Sequence, residues 1–239
     1  MTELLVGCPV RQRGWILRPW FLFVEQAALV AGLRPSYIVA LAKADIGSRE
    51  VIEKCCADAG RDLVVIETGE GLETVVQTYK RLWTEVRYGQ MVQLRNLLLG
   101  KVRELEPKLF LSLDSDILIH EQVLANLASG LETFDAMGGK CYMEPQGVRS
   151  PSYAMLLNAN GLLREDANQV IPVDCIMAIK LMTPRAYGVD YRYHFQGEDI
   201  GWSVAAREQG LTLGWDGRIV SKHVMQPSQL ELIDPRCGY

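Results

Sequence analysis

The chain has 239 residues, 49% hydrophobic and 23% charged, a balance that suits one α/β domain with a substantial core. Its formal net charge of −4, with basic residues spread along the chain, argues against a nucleic-acid partner. The most apolar early stretch, Trp20 to Leu33, is too short for a membrane span and carries Glu25 and Gln26, so no integral membrane contact is expected. Thr2 and Glu3 stand where a signal peptide would carry basic residues. The six cysteines (8, 55, 56, 141, 175 and 237) form no CxxC pair and read as buried thiols of a cytoplasmic protein.

In chain order, Leu4-Leu5-Val6-Gly7-Cys8 reads as a buried strand ending at Pro9, followed by a helix from about Pro19 to Gly32. Tyr37 to Leu41 is a second strand, and Ser48 to Gly60 a second helix with Ser48 placed to cap it. Asp62 to Ile66 is a third strand, and Gly89 to Glu106 a long helix stopped by Pro107. Leu109 to Leu113 is a fourth strand. Such alternation predicts a mostly parallel sheet covered by helices. Beyond Ser129 the texture changes: Asp135–Gly139 and Val173–Ile179 read as strands separated by loops rich in Gly, Pro, Asn and Ser. Glu198 to Gly210 is a last helix, with strands at Leu211–Leu213 and Arg218–Val220.

The most telling feature is Asp114-Ser115-Asp116, which interrupts the apolar runs Leu109–Leu113 and Ile117–Ile119. Carboxylates in a segment that otherwise looks buried are costly unless compensated, and a divalent cation is the usual compensation. The competing reading is a turn in which an Asp caps the next helix. A second acidic pair lies in Gly197-Glu198-Asp199-Ile200-Gly201, at a helix start. There Asp199 is an N-cap or, if a cleft is present, one of the two carboxylates is a general base. His223 can complete a coordination sphere begun by a carboxylate, a donor set that suits Mn²⁺. Pro9-Val10-Arg11-Gln12-Arg13 puts two guanidinium groups beyond a strand's carboxyl end, where parallel sheets bind ligands. Asp45 has the matching position after the second strand and reads as a ribose or base contact or as a cap; Arg95 points at a diphosphate or at solvent. Trp202, Trp215, Tyr191 and Tyr193 are candidates for stacking on sugar faces or for the core.

Together these segments resemble the GT-A glycosyltransferases, particularly family 2-like enzymes and the β-1,4-galactosyltransferase group. Pro9-Val10-Arg11-Gln12-Arg13 is similar to their P-x-R-N-R loop with Gln12 in place of Asn. Arg95-Asn96 resembles the helix before the metal site, Asp114-Ser115-Asp116 the DxD, and Gly197-Glu198-Asp199 the G-E-D. The resemblance implies a single α/β GT-A domain over 1–239, a Rossmann-like mixed sheet covered by helices. Residues 1–128 would form the nucleotide-binding half and 129–239 the acceptor-binding half. It implies a nucleoside-diphosphate-sugar donor with Mn²⁺ or Mg²⁺, and an acceptor hydroxyl on a glycan, protein or small molecule. By the same analogy Asp116 and His223 bind metal, Asp114 metal or ribose, and Pro9, Arg11, Asp45, Arg95 and Ser115 the nucleotide. Asp199 would be the base, with Glu198 orienting the acceptor and the sugar transferred with inversion. A sugar-phosphate nucleotidyltransferase and a catalytically silent nucleotide-sugar-binding protein are the alternative readings. The first should carry a glycine-rich amino-terminal phosphate loop, which Gly7-Cys8-Pro9-Val10 lacks.

Overall fold

The computed structural model describes residues 2–11, 13–69, 84–141, 154–158, 161–165 and 168–230. In chain order its first elements are β1 (Leu4–Val10), α1 (Gly14–Val30), β2 (Pro35–Ala42), α2 (Ile46–Ala59), β3 (Leu63–Thr68), α3 (Glu85–Leu105) and β4 (Leu109–Leu113). There follow β5 (Ile117–Leu118), α4 (Val123–Gly130), β6 (Ala136–Cys141), β7 (Ala154–Asn158), β8 (Gly161–Glu165) and β9 (Val170–Pro172). The last are β10 (Ile179–Met182), α5 (Pro184–Tyr187), α6 (Glu198–Glu208) and β11 (Leu213–His223).

One nine-stranded sheet runs β3-β2-β1-β4-β10-β6-β11-β5, with β9 paired to β11. Its first four strands are parallel, as the alternating strand and helix pattern requires. β10 then enters antiparallel to both β4 and β6, which makes the sheet mixed. The period of two in β1 sorts side chains to the two faces: Leu4, Val6, Cys8 and Val10 join the core under α1, α2 and α4, while Leu5 joins that under α3, α5 and α6. Pro9 is tolerated inside β1 because pairing with β4 stops at Gly7, leaving that side of the strand without a ladder to feed. The five described cysteines are free, and among the described residues no helix is long and apolar enough to cross a membrane.

Several boundaries depart from expectation. α1 starts at Gly14 and passes through Pro19, because burying Ile16, Leu17 and Trp20 outweighs the hydrogen bond that proline forfeits. α2 is capped by Asp45, whose Oδ1 accepts from Ser48 N at 3.2 Å, and the Ser48 hydroxyl instead accepts from Arg13 N at 3.0 Å. The strand expected at Val173–Ile179 lies further on, at Ile179–Met182, with Lys180 wholly buried inside it. The two expected strands at 211–213 and 218–220 are one strand, β11, carrying a register shift between Asp216 and Val220. The β7–β8 hairpin was not expected, although Asn160-Gly161 is a hairpin signal in the sequence.

Candidate active site

Asp114-Ser115-Asp116 forms a turn rather than a strand: Ile117 N donates to the Asp114 carbonyl at 3.1 Å. The turn is held from three sides. Trp20 Nε1 of α1 donates to the Asp114 carbonyl at 3.2 Å, Asp114 N donates to Ala178 O at 3.1 Å, and Val224 N donates to Asp116 O at 2.7 Å. Ser115 is buried in the turn. Because the chain turns between them, the two carboxylates reach different partners.

Asp116 lies beside His223, Oδ1 to Nε2 at 3.4 Å, and its Oδ2 meets Arg13 Nη2 at 3.2 Å. The pairing of β5 with β11 sets His223 opposite Ile117 and so brings it to the turn. Arg13 is tied through its own N–H to Ser48, and Ser48 to Asp45, so the ends of β1 and β2 reach Asp116 through hydrogen bonds. Asp45 is half-buried and caps α2 through its Oδ1. Pro9 and Arg11 are half-buried on the approach to this corner; Gln12 lies outside the described residues. A carboxylate oxygen next to an imidazole nitrogen fits a divalent cation such as Mn²⁺. The fit stops at two protein donors, since among the described residues no three His, Cys, Asp or Glu side chains converge on one point.

Asp114 turns to Arg95. This guanidinium, on α3 and 2% exposed, contacts Asp114 Oδ1 at 2.5 Å and Ser112 Oγ at 3.2 Å, and lies 3.6 Å from Glu198 Oε1. Arg95 is thus turned inward to carboxylates. Burial alone would lower its pKa, yet Asp114 and the other acids more than reverse that.

Behind it, Lys180 of β10 is fully buried and bonded to Asp199 and to Met177 O, the latter at 3.1 Å. Two buried cations therefore face three carboxylates, Asp114, Glu198 and Asp199. The two members of the acidic pair differ sharply. Burial, followed by the charge of Asp199, pushes Glu198 up to about 7 against the pull of Arg95. Burial pushes Asp199 the same way, but Lys180 and Arg95 overcome it and hold its carboxyl below the ordinary value. Arg95 Nε and the Tyr191 hydroxyl are buried with no hydrogen-bond partner among the described residues, and the Tyr191 ring lies 5.4 Å from Lys180 Nζ.

Two glycines make this geometry possible. Gly197 has φ +129°, which side chains rarely adopt, where the chain enters α6. Gly201 lets the segment before α6 lie on the helix: a Cβ there would sit 1.9 Å from Arg192 O. That segment carries Tyr193 and Phe195, which are 48% and 70% exposed, immediately before Glu198. Trp202, Trp215 and Tyr191 are core residues, the other of their two readings.

No family model and no curated protein sequence matches the chain. Solved structures match its fold. S. aureus TarS superposes with a TM-score of 0.58 at 12% identity, covering 96% of this chain and 38% of TarS. The mannosyltransferase PcManGT from Pyrobaculum calidifontis, solved with GDP-Man and Mn²⁺, gives 0.56 at 11% identity, covering 92% of this chain and 56% of that one. A nucleoside-diphosphate-sugar pyrophosphorylase from Vibrio cholerae gives 0.52 at 11%, covering 96% and 98%. The chain has the GT-A, nucleotide-diphospho-sugar transferase fold. It spans about 60% of TarS 1–349.

Within this GT-A sheet, two polar residues that organise the site, Lys180 and Ser112, carried no role in the reading of the sequence. Lys180 had a usable signal: it interrupts the apolar run Ile176–Met182, as the two acids interrupt theirs. Ser112 gave no cue beyond a small polar residue in an apolar strand, while Arg13, read with Arg11 as a ligand-side guanidinium, meets Asp116.

Proposed function

We propose that this protein is a metal-dependent glycosyltransferase that moves a sugar from a nucleoside-diphosphate sugar to an acceptor hydroxyl with inversion. The observation that carries the reading is the division of carboxylates at the turn after β4. Asp116 with His223 forms one group, and Asp114, Glu198 and Asp199 braced by Arg95 and Lys180 form the other. A two-substrate displacement needs such a pair of subsites, one to neutralise the departing diphosphate and one to take a proton.

On the donor side Asp116 and His223 would hold Mn²⁺ or Mg²⁺, with Pro9, Arg11, Arg13, Asp45, Asp114 and Ser115 toward the nucleotide. A bound cation supplies Lewis-acid stabilisation of the diphosphate. On the acceptor side the Glu198–Asp199 pair takes the hydroxyl proton, while Arg95 keeps Asp114 and Glu198 from repelling each other. The exposed rings of Tyr193 and Phe195, a few residues before Glu198, would stack on an acceptor glycan, protein side chain or small molecule.

Thermal-shift titration with UDP-GlcNAc and GDP-mannose, each with and without Mn²⁺, tests donor binding; release of the nucleoside diphosphate tests turnover. The reading requires a metal-dependent shift and metal-dependent release. Binding without release would favour a silent nucleotide-sugar-binding protein. The full-length correspondence with the V. cholerae pyrophosphorylase favours a second reading, nucleotidyl transfer to a sugar phosphate. Pyrophosphate release from a nucleoside triphosphate and a sugar 1-phosphate, with no release from the diphospho-sugars, would establish it instead.

A further inference from the structure

The acidic pair at the start of α6 carries an asymmetry that its sequence does not show. Asp199 is bonded to Lys180, a cation with no exposed surface, and Arg95 adds a second positive charge nearby. Lys180 is held in turn by Met177 O at 3.1 Å, so neither partner can leave the interior without stranding a charge. The backbone also resists movement, because Ser203 Oγ donates to the Asp199 carbonyl at 2.8 Å while accepting from Ile176 N at 3.2 Å. Among the described residues Glu198 has no such clamp. Arg95, the cation paired with it among the described residues, is 3.6 Å away and is shared with Asp114, which it contacts at 2.5 Å.

We propose that Lys180 is a positioning residue that locks Asp199 as an anchor and thereby makes Glu198 the catalytic proton acceptor. This rests on the transferase reading above. In the step, the acceptor O–H proton passes to Glu198 Oε as the acceptor oxygen bonds to the anomeric carbon. The bond from that carbon to the donor phosphate oxygen breaks, its electron pair leaves with the diphosphate, and Glu198 returns its proton to solvent. Asp199 exchanges no proton. A carboxylate fixed to a buried ammonium is a poor base, since taking a proton would leave Lys180 charged and alone. The groups facing Glu198 are Arg95 and Tyr88 from α3, Asp114 from the turn and Asp199 from its own helix, so its neighbourhood is acidic on balance. Burial first, and then this setting, raises its affinity for a proton, as a base at neutral pH requires.

Two measurements test this on the full chain. The first needs no substrate: ¹³C-carboxyl NMR of labelled protein, with Glu198→Gln and Asp199→Asn supplying the assignments. The Glu198 signal is expected to titrate in the neutral range while Asp199 stays ionised throughout, and Lys180→Met is expected to make Asp199 titrate. An Asp199 signal that titrates in the wild type, or one indifferent to Lys180→Met, overturns the proposal. The second is turnover of UDP-GlcNAc or GDP-mannose. Glu198→Gln should lower kcat by about 10²–10⁴-fold with donor binding retained. The double variant Lys180→Met/Asp199→Asn strands no buried charge and so should fold; its expected loss in kcat is about tenfold. Equal losses in the folded double variant and Glu198→Gln, or full activity in Glu198→Gln, overturn the assignment while leaving the transferase reading intact. Absence of any turnover defeats that reading for these donors, and the NMR titration still decides the role of Lys180.

Discussion

Glu198 should make this protein less stable as pH rises through neutrality, and removing its charge should relieve the loss. The side chain is 6% exposed and shares its surroundings with Asp199 and Asp114. Burial first, then these charges, raise its carboxyl from the ordinary 4.5 to about 7. A carboxyl whose folded pKa lies above its unfolded one favours the fold when protonated. Its contribution is complete below the unfolded value and disappears as pH climbs through the folded one. A difference of this size is worth ~3 kcal/mol. Glu198→Gln keeps the shape and hydrogen-bonding capacity while deleting the ionisation. Urea unfolding of both proteins at about pH 5 and about pH 8, without ligands, isolates the effect, because other groups titrate alike in each. The variant should gain ~2–3 kcal/mol on the wild type between the two conditions. Parallel stability curves would refute the account of this buried pair, and a wild type that gains on the variant at high pH would reverse its sign.

Other consequences follow from the same contacts. Arg95→Met leaves Asp114 and Glu198 facing each other without their shared cation; a loss of ~3 kcal/mol in urea unfolding is expected, since breaking a buried ion pair strands charge. Gly201→Ala drives a Cβ into the backbone oxygen of Arg192 at a nominal 1.9 Å, so unfolding should show a loss of at least ~2 kcal/mol and turnover should fall with it. Asp116→Ala and His223→Ala should each abolish the Mn²⁺-dependent part of the thermal shift with GDP-mannose while the fold survives. A retained metal-dependent shift in either would place the cation elsewhere.

The amino-acid sequence was informative where a residue's type and its apolar neighbours left few options. Leu109–Leu113 was legible as a strand to the residue, and the alternating strands and helices up to it imposed a parallel sheet. The same logic drew attention to Asp114-Ser115-Asp116 and to Glu198-Asp199, because acids amid buried residues need partners. What local pattern cannot supply is the identity of those partners. Asp114 faces Arg95 and Asp116 faces His223 because a turn separates them and because β11 returns to pair with β5, a contact more than a hundred residues apart in the chain. Lys180 is the sharpest case. Read locally, a lysine inside an apolar run marks a charge that needs a partner but does not name that partner. Only the antiparallel entry of β10 between β4 and β6 buries it against Asp199, where charge complementarity across the fold sets the chemistry of the pair.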